Sequence, residues 1–152
     1  MLARLNLKYQ DKKSAGFTLL ELLVVVAVIG LLSTIVLFAV ENIRAKSRDS
    51  RRVADIKTLQ EAFSLYYNNN YLYPDSGGDN IEITKSDSIS AALINDGVIM
   101  AMPIDPLNRE RDGVTYKYYY QSLDSRKDYQ ITYYLETNSI QGKSKGENIA
   151  GP

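Results

Sequence analysis

Residues 15–21 read Ala-Gly-Phe-Thr-Leu-Leu-Glu, and an apolar run follows them from Leu22 to Val40. Gly30, Ser33 and Thr34 are the interruptions of that run. At a rise of 1.5 Å per residue, a helix over this run is about 30 Å long, which matches the hydrocarbon thickness of a bilayer. We therefore predict that the run forms a membrane-spanning helix.

Glu21 is a carboxylate at the start of this otherwise uncharged run. An ionised side chain at the bilayer centre costs about 2.5 to 3.5 kcal/mol on insertion scales, so a membrane acid needs a cation or a route to water. One interpretation is that Glu21 lies near the interface and favours the positive end of the helix dipole. The other is that cleavage between Gly16 and Phe17 creates an ammonium one turn away, which pairs with the Glu21 of a neighbouring subunit.

The residues Gly16-Phe17-Thr18-Leu19, with Glu21 after them and a short basic leader before them, resemble the class III signal of type IV pilins and type II secretion pseudopilins. Residue identities, spacing and apolar length agree together, which makes this motif specific. The resemblance implies that a prepilin peptidase cleaves after Gly16 and that Phe17 is N-methylated. It also implies that Glu21 directs subunit assembly in a helical homo-oligomer.

The resemblance further implies where the chain resides. The subunit is expected as a single-pass protein of the inner membrane, in contact with lipid and with an inner-membrane assembly platform, and later in an extracellular or periplasmic filament. The leader is expected on the cytoplasmic side. Basic residues lie on both flanks of the apolar run, so the positive-inside rule alone does not decide the orientation. A secretory signal fits less well, because its apolar region is shorter and ends at a cleavage site that is not evident here.

The composition excludes several kinds of chemistry. The chain has no cysteine and no histidine, so disulfide staples and histidine-dependent nucleophiles or metal sites are excluded. We find no convincing carboxylate pair and expect a protein that is not an enzyme. The leader has a net charge of +3 and the overall formal charge is +0, so the rest is mildly acidic, and we expect no nucleic-acid partner.

Beyond the membrane segment, no proline or glycine occurs between Leu31 and Tyr73, so the helix can continue. Apolar residues recur there at spacings of three or four, which predicts one buried helix face: Val53, Ile56, Leu59, Phe63 and Tyr66. We predict one helix from about Phe17 to about Tyr67, ended by Asn68-Asn69-Asn70. Such a helix is the expected spine of a pilin-like subunit.

The second half of the chain predicts a small β-domain. Ser88 to Asn95 is expected as a short helix capped by Ser88 and stopped near Gly97. Residues 114–121 and 128–136 alternate as two strands joined by a hairpin, which would pack on the helix face. The Pro-x-Asp-Pro segment at residues 103–106 resembles the crossing segment of major pseudopilins.

The predicted fold is α+β and pilin-like, with a long N-terminal helix, transmembrane in its first half, packed on a small antiparallel β-sheet domain. We divide the chain into five segments. They are a leader at 1–16, a transmembrane and polymerisation helix at 17–40, the soluble half of the same helix at 41–70, a connecting loop and β-domain at 71–141, and a flexible tail at 142–152.

Two features allow more than one interpretation. The basic residues of the soluble helix, Arg44, Arg48, Arg51 and Arg52, are expected as a solvated face partly neutralised by Asp49 and Asp55. Contact with lipid phosphates or with the next subunit is an alternative, and DNA binding is the least favoured. The many tyrosines of the strands suit a half-exposed domain, although an adhesive surface is a second interpretation.

We expect no cofactor, and calcium is the alternative that the sequence leaves open. Oxygen ligands are available at five positions, but their spacing is not that of a known calcium loop: Asp105, Asn108, Asp112, Asp124 and Asp128. We predict on these grounds a structural filament subunit, either of a type IV pilus or of a type II secretion pseudopilus. The alternative is a monomeric, membrane-anchored surface domain that binds a ligand or polymer, including DNA during uptake.

Overall fold

The structure is a computed structural model that describes residues 16–152. It therefore covers the residues on both sides of the predicted cleavage point, whereas the predicted leader up to residue 15 lies outside the described residues. The described residues divide into two compact units, the first ending at Ala39 and the second covering Val40–Pro152. We describe each unit by itself.

A single helix, α1, spans Leu19–Asn70 and contains 52 residues. The structure confirms the long helix and its end at the three asparagines. The helix stops because Tyr71 adopts a left-handed conformation with φ of 59°, while its N–H still donates to the Tyr67 carbonyl at 2.7 Å. A left-handed residue directly after the last turn is a common way to end a helix.

The first unit contains residues 19–39 of α1. Their mean hydropathy reaches 3.0 over an 18-residue window, and none of that window is buried. By length and composition, this is the one helix within residues 16–152 that is able to cross a membrane. The apolar surface of this unit is therefore not used within the described chain.

The second unit contains the rest of α1, a short helix and all of the strands. The short helix is α2, Ser88–Asn95. The strands are β1 at Ile81–Glu82, β2 at Arg109–Arg111, β3 at Val114–Tyr116, β4 at Tyr119–Leu123, β5 at Asp128–Leu135 and β6 at Gly146–Ala150. One antiparallel sheet has the order β1-β4-β5-β6, and β2 and β3 form a separate hairpin. The predicted α+β fold is confirmed.

The core of the second unit lies between α1 and the sheet. Ile56, Leu59 and Phe63 of α1 are buried, as the helical spacing predicted. The four residues predicted for the inner face of β5 are all buried, and Thr132 between them is buried as well: Tyr129, Ile131, Tyr133 and Leu135. The ring of Phe63 stacks on that of Tyr120 with centroids 4.6 Å apart, so aromatic contacts join the helix to the sheet.

The strand predicted for residues 114–121 is two strands. β3 pairs with β2 through Tyr116 and Arg109, whereas β4 pairs with β5 through Tyr120 and Ile131. The alternation continues across the break, because Tyr118 is buried like its neighbours in the pattern. Periodicity therefore identified the buried face, but it carries no information about the change of pairing partner.

The prediction of a flexible tail at residues 142–152 is wrong for its second half. β6 pairs along β5, with Ala150 opposite Ile131 and Gly146 opposite Leu135. Glycine suits the entry to this strand because Gly146 has a φ of 101°. The polar composition suggested disorder, but the free edge of β5 supplies hydrogen-bond partners that are distant in sequence.

The boundaries of α2 were predicted correctly, but its cap was not. Asp87 is the N-cap, and its Oδ1 accepts hydrogen bonds from the N–H groups of Ile89 at 3.0 Å and Ser90 at 2.9 Å. Asp87 can do this because its extended backbone places the carboxylate over the first turn. Ser88 is already the first helical residue.

Candidate functional site

The predicted cleavage point lies in the non-helical segment before α1. Gly16, Phe17 and Thr18 precede the first helical residue, and the side chain of Phe17 is 80% exposed. A peptide bond in an exposed, non-helical segment is accessible to a protease, whereas a bond inside a helix is not. The geometry is thus compatible with processing between Gly16 and Phe17.

Thr18 begins the helix. Its Oγ1 accepts a hydrogen bond from the N–H of Glu21 at 3.2 Å, and its carbonyl accepts one from the N–H of Leu22 at 3.2 Å. This is the N-cap arrangement, and the pattern Thr-x-x-Glu from Thr18 to Glu21 is the sequence signature of a capping box. Thr18 was not predicted as the helix cap, although this signature in the sequence indicates it.

Glu21 lies in the first turn of α1 and is exposed. Within residues 16–152, no hydrogen bond or ion pair engages its carboxylate. The first turn of a helix favours a negative charge, since the unpaired N–H groups there carry a partial positive charge. The predicted pairing of Glu21 with the Phe17 ammonium involves a second subunit and so stays a prediction.

The residues after Glu21 offer a continuous apolar surface around the helix. Large side chains are exposed at almost every position, including Leu22, Val26, Ile29, Leu32, Ile35 and Phe38. Exposed apolar surface on this scale marks a site that contacts lipid or another protein. The arrangement can therefore serve as a membrane anchor and as a helix-packing surface.

A second constellation, which we call the ionic cluster, lies in the domain. Arg52 on α1 is fully buried, and its guanidinium donates to both carboxylate oxygens of Asp105 at 2.6 and 3.0 Å. The same guanidinium donates to Asp49 at 2.8 Å and to Glu136 at 2.7 Å, and it stacks 4.7 Å from the ring centroid of Tyr116. Arg52 thus joins the helix to two distant segments.

Asp49, also fully buried, completes this junction. Its carboxylate accepts hydrogen bonds from the backbone N–H groups of Glu136 at 2.9 Å and Thr137 at 2.8 Å. The Thr137 hydroxyl donates to it as well, at 2.7 Å. The segment directly after β5 is therefore attached to α1 by buried polar bonds.

The cluster balances its charges. Arg48 donates two hydrogen bonds to Glu136 at 2.7 and 2.6 Å, and Arg111 lies 3.6 Å from the same carboxylate. Burial disfavours the charged form of Glu136, but the hydrogen bonds from Arg48 and Arg52 outweigh it, so the pKa of Glu136 lies below its usual range. Burial likewise opposes the charge on Arg52, yet its bonds to Asp105 and Glu136 keep its pKa raised.

The prediction that the basic residues form one solvated face is wrong for Arg52, which is buried, although the expected local pair with Asp49 is present at 2.8 Å. Arg52 is buried, Arg48 is partly buried against Glu136, and Arg44 and Arg51 are exposed. A helical repeat places these residues near one another, but it cannot show that acids about fifty and ninety residues later in the chain will cover two of them. The Pro-x-Asp-Pro motif around Asp105 was the available signal.

The five candidate calcium ligands are not brought together. Asp105 is engaged with Arg52 and also accepts from the N–H of Leu107 at 2.8 Å, whereas Asp112 lies in the exposed turn between β2 and β3. Within residues 16–152, no group of three or more acidic residues is placed to hold a metal ion. The described residues therefore do not identify a calcium site.

The solvent side of the sheet carries a groove of about 540 Å³. Its lining includes Tyr119, Gln130, Tyr134 and Glu147, and the Tyr134 hydroxyl donates to Glu147 at 2.7 Å. The lining contains no lysine or arginine. The tyrosines facing this groove offer polar and aromatic contacts, but its only charge is negative.

Comparison with known proteins agrees with these observations. Residues 11–37 match the family described as the prokaryotic N-terminal methylation motif. The chain is 30% identical over 97 residues to the type II secretion system core protein G of Escherichia coli (strain K12), an alignment that covers 62% of this chain and 67% of that protein. The corresponding core protein G of Vibrio cholerae is 31% identical over 97 residues, covering 62% of this chain and 66% of that protein.

The similarity extends to pilins. The type IV major pilin protein PilE1 of Neisseria gonorrhoeae is 28% identical over 100 residues, covering 62% of this chain and 47% of that protein. No solved structure matches the chain. The relatives thus include proteins named for type II secretion and a protein named as a type IV pilin.

Proposed function

We infer the function of this chain from the superfamily to which it belongs, that of the type II secretion pseudopilins and type IV pilins. We propose that it is a structural subunit that polymerises through residues 17–40 into a cell-surface or periplasm-spanning filament. Cleavage between Gly16 and Phe17 by a prepilin peptidase, followed by N-methylation of Phe17, would precede assembly. No catalytic role is proposed.

One observation carries this proposal: residues 19–39 present an exposed apolar surface that begins with an unengaged carboxylate. The domain at Val40–Pro152 has its own buried core and does not need that surface for folding. The surface is therefore available for lipid before assembly and for the helices of other subunits afterwards. Lipid tails and helix surfaces are both apolar, so the hydrophobic effect does not drive the helix from the bilayer into the filament. Packing and polar contacts between helices must drive that transfer.

Glu21 supplies such a polar contact in the proposed mechanism. Its carboxylate pairs with the Phe17 ammonium of a neighbour, which removes an unpaired charge from an apolar environment and sets the register of the helices. The leader must be removed first, because the ammonium does not exist until the bond after Gly16 is cut. An inner-membrane assembly platform would bring the subunits together.

The N-terminus of the mature protein tests the processing step. Mass spectrometry of the protein purified from its host should find a chain that begins at Phe17 and carries one N-methyl group. A chain that retains its first sixteen residues would contradict the proposal. The same measurement after deletion of the prepilin peptidase gene should find the uncleaved form.

Replacement of Glu21 tests the assembly step. Glu21→Ala should abolish filaments while the protein still inserts into the membrane, as measured by electron microscopy of sheared filaments and by membrane fractionation. Glu41→Ala is the matched control, because Glu41 is an exposed acid on the same helix that lies beyond the apolar run. Filaments that persist in Glu21→Ala would refute the assembly role.

The relatives include both pseudopilins and a pilin, and gene deletion in the host distinguishes the two systems. Loss of secreted enzymes from the medium would assign the filament to type II secretion. Loss of surface fibres with normal secretion would assign it to a type IV pilus. Either result keeps the filament function.

A monomeric surface domain that binds a ligand is the second candidate, and the groove beside Tyr119 and Tyr134 favours it. The groove would suit a neutral polar ligand, and the negative charge of Glu147 disfavours DNA. Under this alternative, Glu21→Ala leaves function unchanged whereas Tyr134→Ala abolishes it. The two variants therefore separate the candidates.

A further inference from the structure

The basic residues of α1 fall into two sets, those that belong to the ionic cluster and those that are exposed. Arg44, Lys46, Arg51 and Lys57 are exposed, whereas Arg48 and Arg52 are engaged inside the domain. None of the four exposed residues takes part in an ion pair within residues 16–152.

The two acids expected to neutralise these residues bind other groups of the domain. Asp49 is buried against Arg52 and the segment after β5, and Asp55 accepts a hydrogen bond from the Tyr118 hydroxyl at 3.0 Å. Glu41 remains exposed, but it attracts Arg48, whose pKa is raised mainly by the hydrogen bond to Glu136 and further by Glu41. The exposed charged residues of this part of α1 are therefore four basic groups and one acid, Glu41.

The position of two of these residues along the helix points to their partner. Arg44 lies four residues and Lys46 six residues after Val40, which is about 6 and 9 Å of helix rise beyond the apolar run. The headgroup layer extends about 5 to 8 Å beyond the hydrocarbon on each side of a bilayer. Both side chains are long enough to reach this layer, because lysine and arginine extend their charge toward an interface.

We propose that Arg44 and Lys46 bind the phosphate-bearing headgroups of anionic lipids in the leaflet next to the domain. This proposal rests on the proposed function in one respect, namely that the unassembled subunit resides in the membrane. The contact would hold the end of the apolar segment at a defined depth until the subunit leaves the bilayer. A basic residue at a membrane surface gains about 1 kcal/mol from anionic lipid, or roughly a fivefold preference.

The helix supplies a matched control. Arg51 follows Arg44 by seven residues, and Lys57 follows Lys46 by eleven, so each control residue lies on the same face of α1 as its counterpart. Arg51 and Lys57 are about 16 and 25 Å beyond Val40, farther than the Debye length of about 8 Å at physiological salt. The double variant Arg44→Gln/Lys46→Gln and the control Arg51→Gln/Lys57→Gln thus remove the same charge from the same faces of α1.

The experiment uses the full chain, reconstituted without the assembly platform into vesicles of phosphatidylcholine and phosphatidylglycerol. Electron paramagnetic resonance of spin-labelled lipids measures how strongly the protein prefers phosphatidylglycerol at its surface. The preference of the wild type should fall about fivefold or more in Arg44→Gln/Lys46→Gln and less than twofold in the control pair. Thermal unfolding of both variants should match the wild type, since all four side chains are exposed.

Two results would overturn the proposal. One is a wild type without preference for the anionic lipid. The other is an equal loss in both variant pairs, which would assign the basic surface to diffuse charge or to a second copy of the chain. The readout is taken before assembly, so a failure to form filaments tests the proposed function alone and leaves the lipid result unaffected.

Discussion

Two regions of one helix follow opposite burial patterns. In residues 19–39 of α1, leucine, isoleucine and valine side chains are exposed, whereas in residues 40–70 an arginine and an aspartate are fully buried. Burial therefore does not follow polarity along α1. It follows the availability of partners, which for Arg52 and Asp49 are supplied by the domain and for residues 19–39 must come from lipid or other subunits.

The buried charges are stable only as a set. Removing an arginine and a carboxylate from water costs several kcal/mol each, and this cost is offset when every donor and acceptor finds a partner of opposite charge. Arg52 meets Asp105, Asp49 and Glu136, and no charge of the cluster is left alone. Such a cluster adds little net stability but makes the loss of one member expensive.

The largest effect is expected for Arg52→Met, which leaves buried carboxylates without their cation. We expect the free energy of unfolding of the domain to fall by about 3 to 5 kcal/mol. Chemical denaturation followed by circular dichroism measures it. Arg51→Met is the control. Arg51 is exposed, so its replacement should change the free energy of unfolding by less than about 0.5 kcal/mol. Equal effects of the two variants would contradict the distinction between buried and exposed arginines.

A leucine in each region tests the apolar side of the comparison. Leu59 is 0% exposed and Leu31 is 65% exposed. Leu59→Ala should destabilise the domain by about 2 to 5 kcal/mol, because it leaves a cavity in a packed core. Leu31→Ala should leave domain unfolding unchanged in detergent. A loss of stability in Leu31→Ala would show that residues 19–39 contribute to the domain core.

The pH dependence of stability sharpens the account of the cluster. Because the pKa of Glu136 is lowered in the folded state, its stabilising effect is present above its unfolded pKa of about 4.3 and is lost as the pH falls through the folded pKa. We expect the unfolding free energy to decrease below about pH 4.3. Glu136→Gln should lose about 1 to 3 kcal/mol at neutral pH and flatten part of that decrease. The rest of the decrease in unfolding free energy should persist in this variant, because the pKa of Asp87 is lowered as well. Burial raises that pKa, but the hydrogen bonds of Asp87 with Ser90 and Thr84 outweigh the burial.

The smallest effect is expected at Asp55. Burial raises its pKa despite the hydrogen bond from Tyr118, so its charged form is disfavoured in the folded domain and its contribution declines as the pH rises through the folded pKa. Asp55→Asn should therefore keep the unfolding free energy within about 0.5 kcal/mol of the wild type at pH 7. A loss comparable to that of Arg52→Met would place Asp55 among the essential members of the cluster.

Local patterns predicted the features that depend on neighbouring residues. The spacing of Ile56, Leu59 and Phe63 identified the buried face of α1, and the alternation in β5 identified its buried face. The short helix at Ser88–Asn95 was recognised by its apolar face and its glycine stop. Its cap was assigned one residue too late because serine and aspartate are about equally good caps, and only the backbone conformation of Asp87 distinguishes them.

Features that depend on distant residues were missed. Arg52 was expected in solvent because its partners Asp105 and Glu136 lie 53 and 84 residues away. The C-terminal segment was expected to be flexible because its composition is polar, whereas its order comes from pairing with β5. The Pro-x-Asp-Pro motif marks Asp105, but no local pattern shows that this acid meets Arg52 or that the C-terminal segment pairs with β5.

By itself, the sequence determined the membrane-length helix, the N-terminal methylation motif and the acid at Glu21, because apolar length and motif spacing are properties of consecutive residues. Only the tertiary structure decided which charges are exposed. A charge is buried when the folded chain brings an opposite charge and hydrogen-bond donors to it, and that requires segments far apart in sequence. Arg44 and Arg52 are both arginines of α1, and for this reason alone the first is exposed and the second is buried.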